Sequence, residues 1–228
     1  MKSLLSKVGI VVLAVFAGGA LADDISPSLE LGAEVYKNRC VLCHGNQGMG
    51  EGILPLTIKD YPNTNLFEPR FPVDEASLRE TIAYGGSKGR MSDEMPPWGD
   101  ELTFQEMESV MQFTLLMHQN RDKAWARLAS VREVQGTSLR AGKAIFKSRC
   151  TLCHGAEGKG DGKMARIIKD PPPFNLTLSR VPDDYLRQII QKGGEAMGRS
   201  SRMPPWENEL TSAQLDSVVS YVKSLRTD

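Results

Sequence analysis

The chain has 228 residues, with 28 Lys and Arg against 28 Asp and Glu, 40% hydrophobic residues and 25% charged ones. That is the composition of a soluble globular protein; it excludes a disordered or fibrous chain, and its charge balance excludes an electrostatic nucleic-acid binder. Beyond the N-terminus, no run approaches the roughly 18 apolar residues that a bilayer span requires.

Residues 1–22 read as an export signal. Lys2 and Lys7 give a basic start, Val8 to Phe16 an apolar stretch, and Ala20-Leu21-Ala22 a small-x-small cleavage site. Cleavage leaves 206 of the 228 residues, enough for two domains of ordinary size and with no remaining membrane span; an uncleaved N-terminal anchor is the alternative. Sliding the chain against itself pairs Gly32–Leu66 with Gly142–Leu176 at 17 identities in 35 positions, an offset of 110. After a two-residue deletion the offset is 108, pairing Met95-Pro96-Pro97-Trp98 with Met203-Pro204-Pro205-Trp206. A period this long means two whole domains, 23–128 including a linker and 129–228, with the boundary region near 119–138.

Each copy shows the same elements in the same order. A first helix leads to a cysteine pair, with Gly32 and Tyr36 (Gly142 and Phe146) one turn apart and the glycine permitting close approach of another helix. A Gly-rich turn region follows, then a short helix from near Asp74 (Asp183) to the paired glycines Gly85-Gly86 (Gly193-Gly194). The last helix opens with a capping box, Thr103 with Glu106 or Thr211 with Gln214. In the second copy its core face is Leu215, Val218, Val219 and Val222, at i, i+3, i+4, i+7. Nothing alternates at period two, so the expected fold class is all-α with much loop.

All four cysteines fall in two C-x-x-C-H motifs, Cys40 and Cys43 before His44, Cys150 and Cys153 before His154. This is the c-type haem attachment pattern, and it implies two covalently bound haem groups with iron. Residues i and i+3 of a helical turn share a face, so both sulfurs can form thioethers to one haem while the next residue offers a ring nitrogen to iron. A thioredoxin-like pair would need a βαβ context, and a zinc ribbon would need its pairs about 15–20 residues apart. Structural disulfides would not call for a histidine after each pair.

Met95 and Met203 head the two Met-Pro-Pro-Trp segments, 51 and 49 residues after His44 and His154. Two prolines stiffen each loop, and a thioether there can reach iron as the second axial ligand. Met91 and Met197 are rivals in non-equivalent places; Met107, Met111 and Met117 lie on a helix and read as core filler. Trp98 and Trp206 read as haem-packing residues. Arg39 and Arg149 could offset haem propionates, but a solvated helix face is the better reading; His118 reads as solvated before a polar linker.

With these motifs in place, the mature chain resembles class I cytochrome c twice over. The resemblance implies two tandem cytochrome c domains, each with crossing N- and C-terminal helices. It also implies Phe113 and Tyr221 as aromatic partners of Tyr36 and Phe146. Similar two-domain proteins are periplasmic dihaem electron carriers of bacteria. The function expected is single-electron transfer from a dehydrogenase or quinol-oxidising complex to a terminal oxidase or reductase, with no catalysis of its own. The alternatives are a cytochrome subunit of a dehydrogenase complex or a dihaem enzyme acting as peroxidase or on thiosulfate. Charge divides unevenly: residues 23–128 carry 10 basic and 17 acidic side chains, residues 129–228 carry 16 and 11. Opposite signs steer different partners to different halves, or else hold the halves together.

Overall fold

The computed structural model describes residues 26–227, apart from 72, 89, 90, 133, 135 and 136. The export-signal reading of residues 1–22 lies outside the described residues. Ser28 caps α1 (Leu29–Arg39) by accepting a hydrogen bond from the Leu31 N–H. Next come α2 (Val41–His44), α3 (Ile53–Thr57), α4 (Glu75–Tyr84) and α5 (Phe104–Gln119). After α6 (Arg121–Ser130), the second copy repeats the plan as α7 (Leu139–Arg149), α8 (Thr151–His154), α9 (Asp183–Lys192) and α10 (Ser212–Ser224). Among the described residues there is no strand, only an isolated antiparallel bridge between Met49 and Asn65. The fold is all-α, two cytochrome-type helical units in tandem.

The helix boundaries follow from local chemistry. Asp74 caps α4 and Gly85 ends it at φ 80°; Gly193 ends α9 at φ 79°, a left-handed turn that a side chain would strain. Both capping boxes close, Thr103 with Glu106 on α5 and Thr211 with Gln214 on α10.

In each copy the first and last helices cross, α1 over α5 and α7 over α10. The crossing is close because Gly32 and Gly142 present no side chain: a Cβ at either would overlap the carbonyl of Ser109 or Ser217. One turn further on, Tyr36 meets Phe113 with ring centroids 5.4 Å apart and Phe146 meets Tyr221 at 5.3 Å. Tilted pairs of this kind add about 0.5–1.5 kcal/mol beyond their area burial. Leu215, Val218, Val219 and Val222 are all buried, as are Met107, Met111 and Met117.

The stretch after α5 differs from a polar linker. Residues 121–130 form α6, which packs back on α1 and α5 through buried Ala124 and Leu128. Trp125 Nε1 donates to the Gln47 carbonyl at 3.2 Å, and Arg127 pairs with Glu30. Only two buried positions at i, i+4 among mostly polar residues make up its apolar face, too short a pattern to stand out in the sequence.

Candidate functional site

The cysteine pairs are built by an interruption of the first helix. Cys40 ends α1, its N–H bonded to the Tyr36 carbonyl at 2.9 Å, and the chain restarts at Val41 as the single turn of α2. His44 N–H then donates to the Cys40 carbonyl at 2.9 Å. The second copy repeats both bonds, Cys150 to Phe146 and His154 to Cys150, again at 2.9 Å. All four thiols are free of disulfides. Burial pushes Cys40 up to about 12, Cys43 to about 11, and Cys150 and Cys153 to about 12. The shift is opposite to the lowered value of a thioredoxin-type nucleophile.

Each histidine is oriented by a backbone carbonyl. His44 Nδ1 lies 2.7 Å from the Thr64 oxygen and His154 Nδ1 3.1 Å from the Phe174 oxygen. A carbonyl only accepts, so Nδ1 carries the hydrogen and Nε2 keeps its lone pair, the tautomer of a metal ligand. Burial holds both imidazoles below their ordinary pKa, against the carbonyl bond, and so favours the neutral form a ligand requires. Thr64 and Phe174 stand at the same place in the repeat, 20 residues after their histidines. Sequence reasoning missed them because their role is played by the backbone and survives the exchange of one side chain for another.

In the first copy these groups open on a mainly apolar cavity of about 340 Å³. Cys40, Cys43 and His44 line it together with Met95, Pro96 and Trp98. Met91 reaches the same cavity, so both methionine candidates of this copy border it. Two free thiols, a neutral imidazole nitrogen and a soft thioether around an apolar space form a donor set that fits a c-type haem.

The methionine loops are held alike in both copies. Gly86 N–H donates to the Met95 carbonyl at 3.0 Å and Gly194 N–H to the Met203 carbonyl at 2.9 Å. Trp98 N–H donates to Ile82 at 3.0 Å and Trp206 N–H to Ile190 at 3.1 Å, and both indoles are buried. Met203 packs against the core, whereas Met197 sits in a short 3-10 turn, Glu195–Met197.

Two minor expectations are corrected. Arg39 is not a solvated residue: its Nε lies 2.9 Å from Glu101, its Nη1 donates to the Lys147 carbonyl of the second copy at 3.0 Å, and it lines the first cavity. Placed at the end of α1, where the copies meet, it is covered by both. His118 is half-buried, its ring edge-on to Phe67 at 5.0 Å, and it lines a small cavity with His44 and Met95. The loop carrying Phe67 covers the end of α5, which nothing in the spacing foretold. The copies also differ: Tyr61 Oη lies 3.5 Å from Cys43 Sγ, where the second copy has Pro171.

The chain matches the model of the family described as cytochrome c oxidase, cbb3-type, subunit III, at residues 27–113 and again at 137–222. The cbb3-type cytochrome c oxidase subunit FixP of Rhizobium etli is 27% identical, over 85% of this chain and 60% of its own length. FixP of Bradyrhizobium diazoefficiens is 25% identical over 93% and 68%, and the CcoP subunit of Cereibacter sphaeroides 27% identical over 85% and 60%. The chain spans between 42% and 60% of the length of the first curated relatives it matches. Among solved structures, a chain of the Kuenenia stuttgartiensis reducing HAO-like protein complex is similar at a TM-score of 0.35 and 25% identity, over 87% of this chain and 96% of that one. No helix among the described residues is long and apolar enough to cross a membrane.

Proposed function

The chain belongs to the cbb3-type cytochrome c oxidase subunit III family, and on that premise we propose that it is a dihaem carrier delivering single electrons to a terminal oxidase of that type. It carries two covalent c-type haems, one in each copy. The observation that carries the reading is the repeated constellation of paired free thiols and a neutral histidine fixed by a backbone carbonyl. In the first copy it lines an apolar cavity together with Met95.

In this reading Cys40, Cys43, Cys150 and Cys153 would hold the haems through thioethers, and His44 with Met95 and His154 with Met203 would hold the iron. The bound group contributes reversible one-electron exchange at a potential raised by histidine–methionine ligation. The chain's own residues do the rest. Burial keeps the imidazoles neutral, the Thr64 and Phe174 carbonyls fix their orientation and tautomer, and the glycine-anchored proline loops hold the methionines without helix flexibility. Buried Trp98 and Trp206 exclude water. With His44 and Met95, and His154 and Met203, all committed to holding the group, no open site would be left for peroxide or substrate, which supports a carrier over a dihaem enzyme.

The donor is a dehydrogenase or quinol-oxidising complex on the exported, periplasmic side. The acidic first half and basic second half steer donor and acceptor to different faces, even though Glu94 and Glu101 are engaged by Arg202 and Lys163 of the other half. The test is an optical redox titration of the haem-loaded chain with and without carbon monoxide, followed by mixing the reduced chain with a purified cbb3-type oxidase at two ionic strengths. Two one-electron waves, no carbon monoxide binding and salt-sensitive oxidation by the oxidase are expected. A carbon monoxide-binding haem, or a reduced chain that the oxidase leaves reduced, would overturn the reading.

A further inference from the structure

The two copies meet beside the first haem cavity, and the contact has a charge pattern that the repeat makes legible. Arg202 pairs with Glu94 across the interface. The two residues are 108 apart, the offset of the repeat, so they occupy one position in two copies, and each immediately precedes its copy's methionine, Met203 or Met95. A pseudo-twofold contact places equivalent positions face to face, where identical charges would repel and opposite charges attract.

The surroundings make this contact more than a surface pair. Glu94 is 15% exposed and Arg202 26%. Glu94 lines the first cavity, and its Oε2 is buried without a hydrogen-bond partner. Removing the guanidinium would therefore leave a desolvated carboxylate with nothing to offset it. Arg202 also lies 6.0 Å over the Tyr61 ring, whose hydroxyl is 3.5 Å from Cys43 Sγ. Leu152, between the cysteines of the second copy, lines the cavity of the first. The Arg39 bond to the Lys147 carbonyl and the Lys163 approach to Glu101 at 3.8 Å flank the same contact.

We propose that the Glu94–Arg202 pair is a positioning lock that holds the two methionine loops against one another, so that an electron arriving at one copy is handed to the other within the chain. The inference rests on the dihaem reading above. The step it serves is a one-electron exchange: the ferrous iron of one copy becomes ferric as the ferric iron of the other becomes ferrous, with no bond or proton changing place. Glu94 and Arg202 act here through geometry, not by touching iron.

The test uses the haem-loaded full chain and four variants: Glu94→Arg, Arg202→Glu, the exchange carrying both, and the milder Glu94→Gln. Haem content and the methionine–iron absorption band are recorded for each. The readouts are the exciton couplet in Soret circular dichroism, which reports proximity of the haems, and the rate of intramolecular electron equilibration after flash photoreduction. Coupling between contacting charges changes an equilibrium by roughly two- to a hundredfold, so each reversal is expected to lower the rate about tenfold and to shrink the couplet. The exchange is expected to restore both to within about twofold, because it re-forms the pair in the opposite sense. Glu94→Gln is expected to show a smaller loss in the same direction, and it decides the matter if a reversal fails to load haem. Unchanged rates in the reversals or in Glu94→Gln would overturn the lock, and so would an exchange as impaired as the singles. A wild-type chain without two haems would instead sink the dihaem reading. A loaded wild-type chain with no couplet and no internal exchange would sink the lock alone.

Discussion

Arg79 grips Glu108 through two parallel hydrogen bonds, Nε to Oε1 at 2.6 Å and Nη2 to Oε2 at 2.9 Å, and so ties α4 to α5. The relation recurs in the second copy as Arg187 with Asp216 between α9 and α10, at the repeat offset of 108. Hydrogen bonds from Arg79 hold the Glu108 carboxyl below its ordinary 4.5. A carboxyl depressed in the folded state stabilises above its unfolded value and loses that contribution as the pH falls. Glu108→Gln should therefore lower Tm at about pH 7 and lower it less at about pH 3.5. Thermal unfolding of the haem-loaded chain checks this, and an equal drop at both pH values would contradict it.

The helix crossings should be intolerant of a single methyl group. A Cβ at Gly32 or Gly142 overlaps a carbonyl of the facing helix, and backbone cannot step aside as a flexible side chain can. Gly32→Ala or Gly142→Ala is expected to cost about 1–3 kcal/mol, the range for overpacked cores. Denaturant unfolding measures it, and a loss within error of zero would show that the helices separate freely.

The two methionine candidates of the first copy can be told apart. Met95→Leu is expected to remove half of the far-red methionine–iron band and to lower one of the two potentials, whereas Met91→Leu leaves the spectrum intact. Met203→Leu should remove the other half. The reverse result for Met91 and Met95 would reassign the ligand, since both border the cavity.

Attachment should be separable by copy. Replacing Cys40 and Cys43 together by serine removes both thioether donors of the first copy and none of the second. The covalent haem content, read on a denaturing gel or by pyridine haemochrome, is expected to fall to half. Retention of two covalent groups would contradict the assignment of sulfurs.

What could be read from the sequence was what side-chain identity encodes. The attachment motif names its own residues, Gly32 announced the close approach of another helix, and the resemblance to class I cytochrome c implied the contact of Tyr36 with Phe113. The backbone's share was invisible: Thr64 serves His44 with a carbonyl, and its counterpart is a phenylalanine. Arg39 looked like a helix-surface residue because the sequence does not say which face the other copy covers. The opposite charges of the halves were plain in composition. That Glu94 and Arg202 would be the ones to meet needed the three-dimensional arrangement.

The helix α6 has a kinetic meaning as well. It keeps the chain fastened to the first copy as far as Val131, whose N–H bonds the Leu128 carbonyl, and the second copy takes hold at Val134, whose carbonyl accepts from Gln214 Nε2. Only residues 132 and 133 lie between these two anchors. A connection this short keeps each copy at a high effective concentration for the other, so a handful of polar contacts suffices to keep them docked. Re-docking after a transient separation is then a local encounter rather than a search through solution. Lengthening the segment between Val131 and Val134 would dilute one copy with respect to the other while leaving the Glu94–Arg202 and Arg39–Lys147 contacts in place.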